Sequence, residues 1–186
     1  SGLLKCEPCD KQYKIEDSIP DFLLPEFLNK KDEKWMLEYD RMFRSYDILM
    51  CYLIPMLSVG LSPLERYMWT KQLQIKKGDH VLDVSTGTGQ NLPLLHRQIG
   101  LNGRLAAMDI SKGMLTYAKM KIKRKKWRNI ELQRANASHL PYKDDTFDAV
   151  MHVGGINTFG EIRMALYKMV RVAKPNTKIV IVDEGL

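Results

Sequence analysis

The chain has 186 residues, 45% hydrophobic and 27% charged, and its 29 basic and 22 acidic side chains give a net charge of +7. The length is enough for one sizeable core, the composition is ordinary for a soluble globular protein, and the sequence shows neither a membrane span nor a signal-peptide pattern. The three cysteines, an odd number, argue against a disulfide framework and favour a reducing compartment, so the cytoplasm is the expected location.

Residues 1–28 differ from the rest of the chain and predict a small hairpin segment. Cys6 and Cys9 form a Cys-x2-Cys pair, but a closed structural zinc site needs four ligands, and the third cysteine, Cys51, lies in a helical pattern. The segment resembles the second half of a zinc-ribbon-like module whose first cysteine pair would lie upstream. We therefore expect no metal here, and metal binding by Cys6 and Cys9 only if an upstream pair exists.

Two helices are predicted next. From Asp32 to Ile54 apolar side chains recur at steps of four and three, and Pro55 ends the pattern; a second helix follows from Pro63 to Leu73. The residues at these steps in the first helix are Trp35, Tyr39, Met42, Tyr46, Leu49 and Leu53. Such a stripe is typical of core packing, but it could also form a lid whose aromatic and methionine side chains face an apolar substrate. Both interpretations stay open.

The stretch from Val81 to Asn91 is the centre of the predicted fold. An apolar run ending at Asp83 meets the turn Gly87-Thr88-Gly89, and a helical pattern follows. This order predicts a buried parallel strand, a tight loop and a helix start whose free backbone N–H groups can bind a polar or anionic part of a ligand. A dinucleotide-binding turn would carry a third glycine at position 92, and Leu92 stands there, which disfavours a dinucleotide.

Strands and helices alternate through the rest of the chain. The predicted elements are a helix from Leu92 to Ile99, strands from Arg104 to Ile110 and Asn129 to Arg134, a strand ending near Val153, a helix from Ala165 to Lys174 and a strand from Lys178 to Asp183. This alternation predicts an α/β fold with a Rossmann-like, doubly wound, mostly parallel sheet. Asp109 lies at the end of the strand from Arg104 to Ile110, 20 residues after Gly89, where an acid can accept hydrogen bonds from both hydroxyls of a ribose.

Much of the positive charge lies in one run from Lys119 to Arg128. The run could bind nucleic acid or an anionic membrane surface. It could also be the solvated end of a helix, where cations interact favourably with the helix dipole. We favour the helix end.

The stretch Val81–Gly89 resembles the first motif of the class I S-adenosylmethionine-dependent methyltransferases, written V-L-D-x-G-x-G-T-G. Ser85 replaces the first glycine of that motif, which could weaken cofactor binding only if the position needs a positive φ. Residues 135–150 and 165–176 resemble further family motifs. Asn136 stands where the family has an acid that meets the exocyclic amine of adenine, and its carbonyl oxygen can accept the same hydrogen bond.

The resemblance implies S-adenosyl-L-methionine as the cofactor. The implied cofactor-binding residues are Asp83, Ser85, Thr86, Gly87, Gly89, Asn91, Asp109, Ile110, Asn136, Ala137 and Val153. No catalytic residue is assigned; His152, at the end of the fourth core strand, is the candidate general base, and we favour a core or surface role for it. The expected domains are a hairpin segment over 1–28 and a methyltransferase domain over 29–186, with a helical cap over 33–73 and a nucleotide-binding core over 80–184.

The nearest subgroup is the quinone-biosynthesis methyltransferases, on the residues Tyr46-Asp47, Gly78–Val84 and Leu140-Pro141-Tyr142. The family sheet has seven strands, whereas the predicted core has five. We therefore expect either a fragment of a longer protein or a sheet closed by other means, for instance by a partner.

Three functions stay open. We favour a methyltransferase that acts on a small apolar or aromatic acceptor. An RNA methyltransferase is suggested by the zinc-ribbon-like segment and the basic run, although the fourth core strand lacks the Asn/Asp-Pro-Pro-aromatic motif and no Pro-Cys pair suggests a cysteine nucleophile. A non-catalytic binding protein is suggested by Ser85, Asn136 and the two missing strands. The oligomeric state is not predicted.

Overall fold

The computed structural model describes residues 2–7, 10–48 and 63–183. The predictions for Cys9, Cys51 and Pro55, and for the last part of the first helix from residue 49 onward, lie outside the described residues.

The described residues form strands, α-helices and three short 3-10 turns. The strands are β1 (Gly2–Lys5), β2 (Gln12–Glu16), β3 (Ile19–Asp21), β4 (His80–Val84), β5 (Arg104–Asp109), β6 (Ile130–Arg134), β7 (Phe147–Val153) and β8 (Ala173–Val182). The helices are α1 (Lys30–Ile48), α2 (Pro63–Gln72), α3 (Leu92–Ile99), α4 (Lys112–Lys125) and α5 (Ile162–Val172). The 3-10 turns are Pro25–Phe27, Ala137–His139 and Ile156–Thr158.

All eight strands belong to one sheet with the order β1-β2-β3-β6-β5-β4-β7-β8. The five strands β4 to β8 run parallel, which confirms the predicted doubly wound α/β fold. The chain proceeds outward from β4 in one direction through β5 and β6, and in the other through β7 and β8. A parallel sheet binds its ligand outside the carboxyl ends of the strands at such a reversal point.

Apolar side chains of the central strands alternate between two core layers, one on each face of the sheet. In β4, Val81 packs into the layer that α3 and α4 cover, and Leu82 into the layer that α5 covers. In β5, Leu105 and Ala106 alternate in the same way. Because successive strand residues point to opposite faces, the continuous apolar runs of these strands are buried on both sides.

The helix α3 has the predicted bounds. Leu92, Leu95 and Ile99 are fully buried, and their spacing of three and four places them on one helix face. Gly100 ends the helix with a φ of 69°, in the left-handed region that glycine enters without a steric penalty.

The helix α5 begins and ends earlier than predicted. It spans Ile162–Val172 rather than residues 165–174, and Ala173 already pairs with Phe147 as the first residue of β8. Residues 174–177 then bulge out of the ladder, and Asn176 has a φ of 62°. Asparagine tolerates this left-handed conformation, so the predicted turn is present inside the strand.

The N-terminal strands extend the sheet at its β6 edge. Strands β1, β2 and β3 form an antiparallel meander, and β3 joins β6 in parallel at the pair Asp21–Arg134. The backbone N–H of Phe22 continues this contact by donating to the Arg134 carbonyl at 2.8 Å. The meander therefore covers the edge of β6, while the division of the chain into domains at residue 28 stays a prediction.

Within the described ranges, no helix is long and apolar enough to cross a membrane.

Candidate functional site

A cleft lies at the carboxyl ends of the central parallel strands, beneath α1. The predicted residues that line it are Ser85, Gly87, Asp109, Ile110, Asn136, Ala137 and Val153. They come from the ends of four neighbouring strands, which is where the reversal of strand order places a ligand. The structure therefore brings together most of the residues that the sequence proposes for the cofactor.

The loop between β4 and α3 has an unusual backbone. Ser85, Gly87 and Gly89 have φ values of 56°, 56° and 79°. At Gly89 an added Cβ would lie 2.6 Å from Leu92 Cδ1, so only glycine allows the loop to pack on α3. Ser85 has a left-handed conformation that glycine adopts more readily. The position therefore needs a positive φ, which is the case in which replacing the family glycine by serine could weaken cofactor binding.

Asp109 joins this loop to the end of β5. One carboxylate oxygen accepts a hydrogen bond from the Gly87 N–H at 2.8 Å, and the other from the Ser111 N–H at 2.9 Å. Burial raises the pKa of Asp109 to about 6, although the backbone hydrogen bonds favour its charged form. Each carboxylate oxygen keeps acceptor capacity for a donor in the cleft.

Asp83 lies fully buried beneath the loop and not among the residues that line the cleft. Its carboxylate accepts hydrogen bonds from the Thr86 hydroxyl at 2.6 Å and from the Asn91 amide at 3.2 Å, and Asn91 in turn accepts one from Arg66 at 2.9 Å. Burial raises the pKa of Asp83 to about 6. Asp83, Thr86 and Asn91 thus hold the loop from below. Like Gly89, they are predicted cofactor-binding residues that do not line the cleft.

The helix α1 covers the cleft, and the lid interpretation of its aromatic stripe stays a prediction. Trp35, Tyr39 and Tyr46 line the cleft from above. Burial raises the pKa of the Tyr46 hydroxyl to about 12, so this group stays protonated at neutral pH. Together with Phe159, which follows β7, these rings give the cleft an aromatic wall.

The carboxylates that fasten α1 to the core are absent from the sequence prediction. Asp40 accepts hydrogen bonds from the Ser111 hydroxyl at 2.5 Å and from the Gly113 N–H at 2.8 Å. Asp47 accepts from Thr88 and Gln90 of the glycine loop and pairs with Lys121 at 2.5 Å. The sequence offers one signal for them, because aspartates at 32, 40 and 47 are spaced by eight and seven residues and so fall on one face of a helix, beside the aromatic stripe.

Asn136 and Asp32 meet at the end of β6. The Asn136 side-chain N–H2 donates to the Phe27 carbonyl at 2.7 Å and to the Asp32 carboxylate at 3.0 Å. Asp32 also accepts from the Gly160 N–H at 2.8 Å. Both side chains are buried, and both line the cleft.

His152 lies inside the core rather than in the cleft. It is fully buried, its Nδ1 lies 3.1 Å from the Val84 carbonyl oxygen, and its ring packs on Phe159. Burial lowers the pKa of the imidazole, so the neutral form prevails at pH 7. The ring therefore supports the aromatic wall from behind, in line with the core role favoured for it.

Part of the basic run is used within the fold. Lys121 pairs with Asp47, and Lys119 donates to the Asp17 carbonyl oxygen in the turn between β2 and β3. Lys123, Arg124 and Lys125 occupy the last turn of α4, where cations interact favourably with the helix dipole. The run is thus the end of a helix, as favoured, and nucleic-acid binding by it stays a prediction.

The sequence matches a known protein family over most of its length. A sequence model of the ubiE/COQ5 methyltransferase family matches residues 28–185. The chain belongs to the ubiE/COQ5 methyltransferase family. This membership confirms the family resemblance of the Val81–Gly89 motif. The zinc-ribbon-like part of the resemblance gains no support, because the described residues contain no group of three or more His, Cys, Asp or Glu side chains that could hold a metal.

Curated relatives in this family are longer than the chain. The demethylmenaquinone methyltransferase of Alkalihalophilus pseudofirmus is 30% identical over 153 residues, which are 82% of this chain and 63% of the relative. The demethylmenaquinone methyltransferase of Shouchella clausii is 37% identical over 113 residues, which are 61% of this chain and 48% of the relative. The chain thus spans about half to three fifths of the curated relatives it matches.

Solved structures share the ubiE/COQ5 fold at low sequence identity. A SAM-dependent methyltransferase from Aquifex aeolicus superposes with a TM-score of 0.61 at 24% identity, over 78% of this chain and 71% of its own. The [4+2]-cyclase SpnF superposes with a TM-score of 0.69 at 16% identity, over 81% of this chain and 59% of its own. At these identities the comparisons show the fold, and a fold hosts more than one chemistry.

Proposed function

We propose that this chain binds S-adenosyl-L-methionine in the cleft beneath α1 and transfers its methyl group to a small aromatic acceptor of the quinone type. The observation that carries the proposal is the hydrogen bond that Asp109 accepts from Gly87 of the left-handed glycine loop, at the point where the strand order of the sheet reverses. Family membership and the relatives named demethylmenaquinone methyltransferase support both the cofactor and the class of acceptor.

The residues of the cleft fit the cofactor. Gly87 lines the cleft, and a Cβ built on it would meet nothing within 4 Å, so the loop presents open backbone to a ligand. The buried Asp109 carboxylate has spare acceptor capacity for ribose hydroxyls, and Ile110 and Ala137 offer apolar surface to a flat base. When bound, the cofactor would supply an electrophilic methyl group on a sulfonium.

The aromatic wall supports an aromatic acceptor. Trp35, Tyr39 and Phe159 face a common space with Val153 and Gly155. Aromatic rings favour other aromatic rings in offset or edge-on contact, and their exclusion of water suits a reaction in which two reactants must be held in line. The chain's own contribution would then be to orient the acceptor and to exclude water.

Calorimetric titration with S-adenosylhomocysteine tests the cofactor site. Binding by the wild-type chain is expected, and Asp109→Ala should weaken it about tenfold or more, because charged hydrogen bonds contribute about 1.5–3 kcal/mol. Asp79→Ala is the control, since Asp79 also accepts a backbone N–H, from Lys76 at 2.7 Å, in the turn before β4 and away from the cleft. Absence of binding by the wild type would refute the proposal.

Transfer of a labelled methyl group tests the acceptor. The probe is a demethylated menaquinone with a short side chain, in its reduced form, and incorporation of label is expected. Structured RNA serves as the competing acceptor. Label in RNA alone would replace the proposed acceptor, and cofactor binding without transfer to either would favour a non-catalytic binding protein. The expected cytoplasmic location stays a prediction.

A further inference from the structure

Asn136 has no hydrogen-bonding capacity left for a ligand. Its side-chain N–H2 makes two hydrogen bonds, to the Phe27 carbonyl and the Asp32 carboxylate, and its Oδ1 accepts two more, from the Ser138 N–H at 2.9 Å and the Ser138 hydroxyl at 2.8 Å. A primary amide has two N–H donors and two lone pairs, so all are in use. The adenine contact expected of Asn136 would therefore require breaking one of these bonds.

The orientation of this amide is fixed by its backbone partners. A backbone N–H such as that of Ser138 can only donate, and a carbonyl such as that of Phe27 can only accept. The amide oxygen must therefore face Ser138 and the N–H2 group must face Phe27 and Asp32. Asn136 is consequently a donor toward Asp32 and an acceptor toward its own turn.

Asp32 has acceptor capacity to spare in the same part of the cleft. Its Oδ1 accepts from the Gly160 N–H at 2.8 Å and its Oδ2 from Asn136 at 3.0 Å, which leaves about two of its four lone-pair sites. The residue is only 7% exposed and lines the cleft. A buried carboxylate that is only partly satisfied favours a ligand that brings an N–H donor.

The surroundings restrict what that donor can be. Asp32 is hydrogen-bonded to Asn136, whose chain neighbours Ala135 and Ala137 line the cleft with apolar side chains, as does Ile110 at the end of β5. Asp109, the acid placed for a ribose, stands at the end of the neighbouring strand β5. A ligand that fits both features is a nucleoside with a flat base and an amino group at the edge away from the ribose.

Resting on the proposed function, we propose that Asp32 is the residue that accepts the hydrogen bond from the exocyclic amine of adenine. Asn136 is then a positioning residue, whose N–H2 group holds the Asp32 carboxylate in the cleft. The carboxylate that recognises the base thus comes from α1, the helix that covers the cleft, and not from the end of β6. Recognition of the base therefore requires that α1 is docked over the cleft.

A pair of ligands tests this assignment by binding alone. The probes are S-adenosylhomocysteine and its analogue in which hydrogen replaces the exocyclic amine of the purine. The wild-type chain should prefer the amine by about tenfold or more, the range of one charged hydrogen bond. In Asp32→Ala the two ligands should bind with nearly equal affinity. A preference that survives in Asp32→Ala would overturn the assignment.

Asp40→Ala is the matched control on the same helix. Asp40 also fastens α1 but is not among the described residues that line the cleft. We expect this variant to bind both ligands more weakly while their ratio keeps its wild-type value. If Asp40→Ala abolishes the preference as Asp32→Ala does, the preference reflects helix docking and the assignment falls.

A variant of Asn136 tests its positioning role. Asn136→Asp should bind S-adenosylhomocysteine at least tenfold more weakly, because it sets two carboxylates about 3 Å apart. An unchanged affinity in Asn136→Asp would contradict the positioning role of Asn136.

The outcomes separate this inference from the proposed function. If the wild type binds neither ligand, the cofactor site itself is refuted and the assignment with it. If the wild type binds both ligands equally, the cofactor site stands and only the role of Asp32 is overturned. Neither result depends on a variant that must fold.

Discussion

Ser85 and Asp83 show how single residues near the cleft are held in costly states. Ser85 has a φ of 56°, although a side chain in the left-handed region costs about 1–2 kcal/mol relative to the right-handed one. Asp83 is a fully buried carboxylate whose partners are a hydroxyl and an amide rather than a cation. Such costs persist where the surrounding structure fixes the conformation, and they concentrate at ligand sites.

Replacing Ser85 with glycine should stabilise the chain. Ser85→Gly removes the left-handed strain but adds freedom to the unfolded chain, so we expect the free energy of unfolding to rise by up to about 1 kcal/mol. Urea titration measures it. The same substitution at Ser45, on the exposed side of α1, should lower the free energy of unfolding by about 0.5 kcal/mol, because glycine weakens a helix interior. A loss at both positions would contradict the strain at Ser85.

Asp83 should make stability depend on pH. Burial raises its folded-state pKa to about 6 from the ordinary 3.8, so the folded chain binds this proton more tightly than the unfolded chain. The stability contribution of Asp83 is therefore complete below about pH 4, falls as pH rises to about 6, and changes little above that. Acidic conditions favour the folded state through this one group.

A comparison with Asp83→Asn isolates this dependence. Asparagine cannot titrate, so the free energy of unfolding of the variant relative to wild type should increase between about pH 4 and pH 6.5. Urea titrations across this range measure the difference, and contributions from all other groups cancel. Two pH curves that stay parallel would show that Asp83 does not carry the shift.

At the scale of elements, α1 is fastened to the core mainly by carboxylates. Asp32 holds the end of β6, Asp40 the start of α4, and Asp47 the glycine loop. Burial by itself would raise the pKa of Asp47, but hydrogen bonds from Lys121, Thr88 and Gln90 bring it below the usual range. The helix α1 is thus attached at both edges of the cleft through aspartate side chains.

Asp40→Ala should loosen α1 more than the core. The substitution leaves the Ser111 hydroxyl and the Gly113 N–H without their partner, and we expect a loss of about 1–3 kcal/mol in the free energy of unfolding. Hydrogen exchange should accelerate in α1 while α3 keeps its protection. Glu38→Ala is the control, because the Glu38–Arg41 pair is exposed and contributes about 0.5 kcal/mol or less. Equal effects of the two substitutions would argue against a docking role for Asp40.

On the scale of the whole molecule, the N-terminal meander and the parallel core form one sheet. Arg134 connects them, because its guanidinium pairs with Asp21 at 2.9 Å and donates to the Ile110 carbonyl at 3.0 Å. Ile110 lines the cleft, so one side chain links the outer strands to the candidate site. The meander covers what would otherwise be an open edge of the parallel sheet.

Arg134→Met should detach the meander. Methionine keeps the apolar stem but loses the ion pair and the hydrogen bond, so the free energy of unfolding should fall by about 1–2 kcal/mol and β1 to β3 should exchange faster. Arg104→Met on the neighbouring strand removes an exposed pair with Glu131 and should cost about 0.5 kcal/mol or less. A meander that keeps its protection in Arg134→Met would show that backbone pairing alone holds it.

The sequence by itself determined the parallel core and the glycine loop. Apolar runs and spacings within about ten residues predict strands such as β4 and helices such as α3. The position of Asp109 at the end of a strand predicts its place in the cleft. Those signals are local, because burial of a strand or a helix face imposes its period directly on neighbouring residues. The family motif predicts the identity of the cofactor, and this motif can be recognised in the sequence because it lies in one continuous stretch.

Only the tertiary structure decided which side chains serve the cleft and which support it. It placed Asp83 below the loop and His152 behind the aromatic wall, and it brought Asp32 to Asn136 across 104 positions of sequence. It also joined the meander to β6 through a single residue pair. A hydrogen bond between distant residues leaves no periodic trace in the sequence, because its partners are chosen by the packing of whole elements and not by their own neighbours.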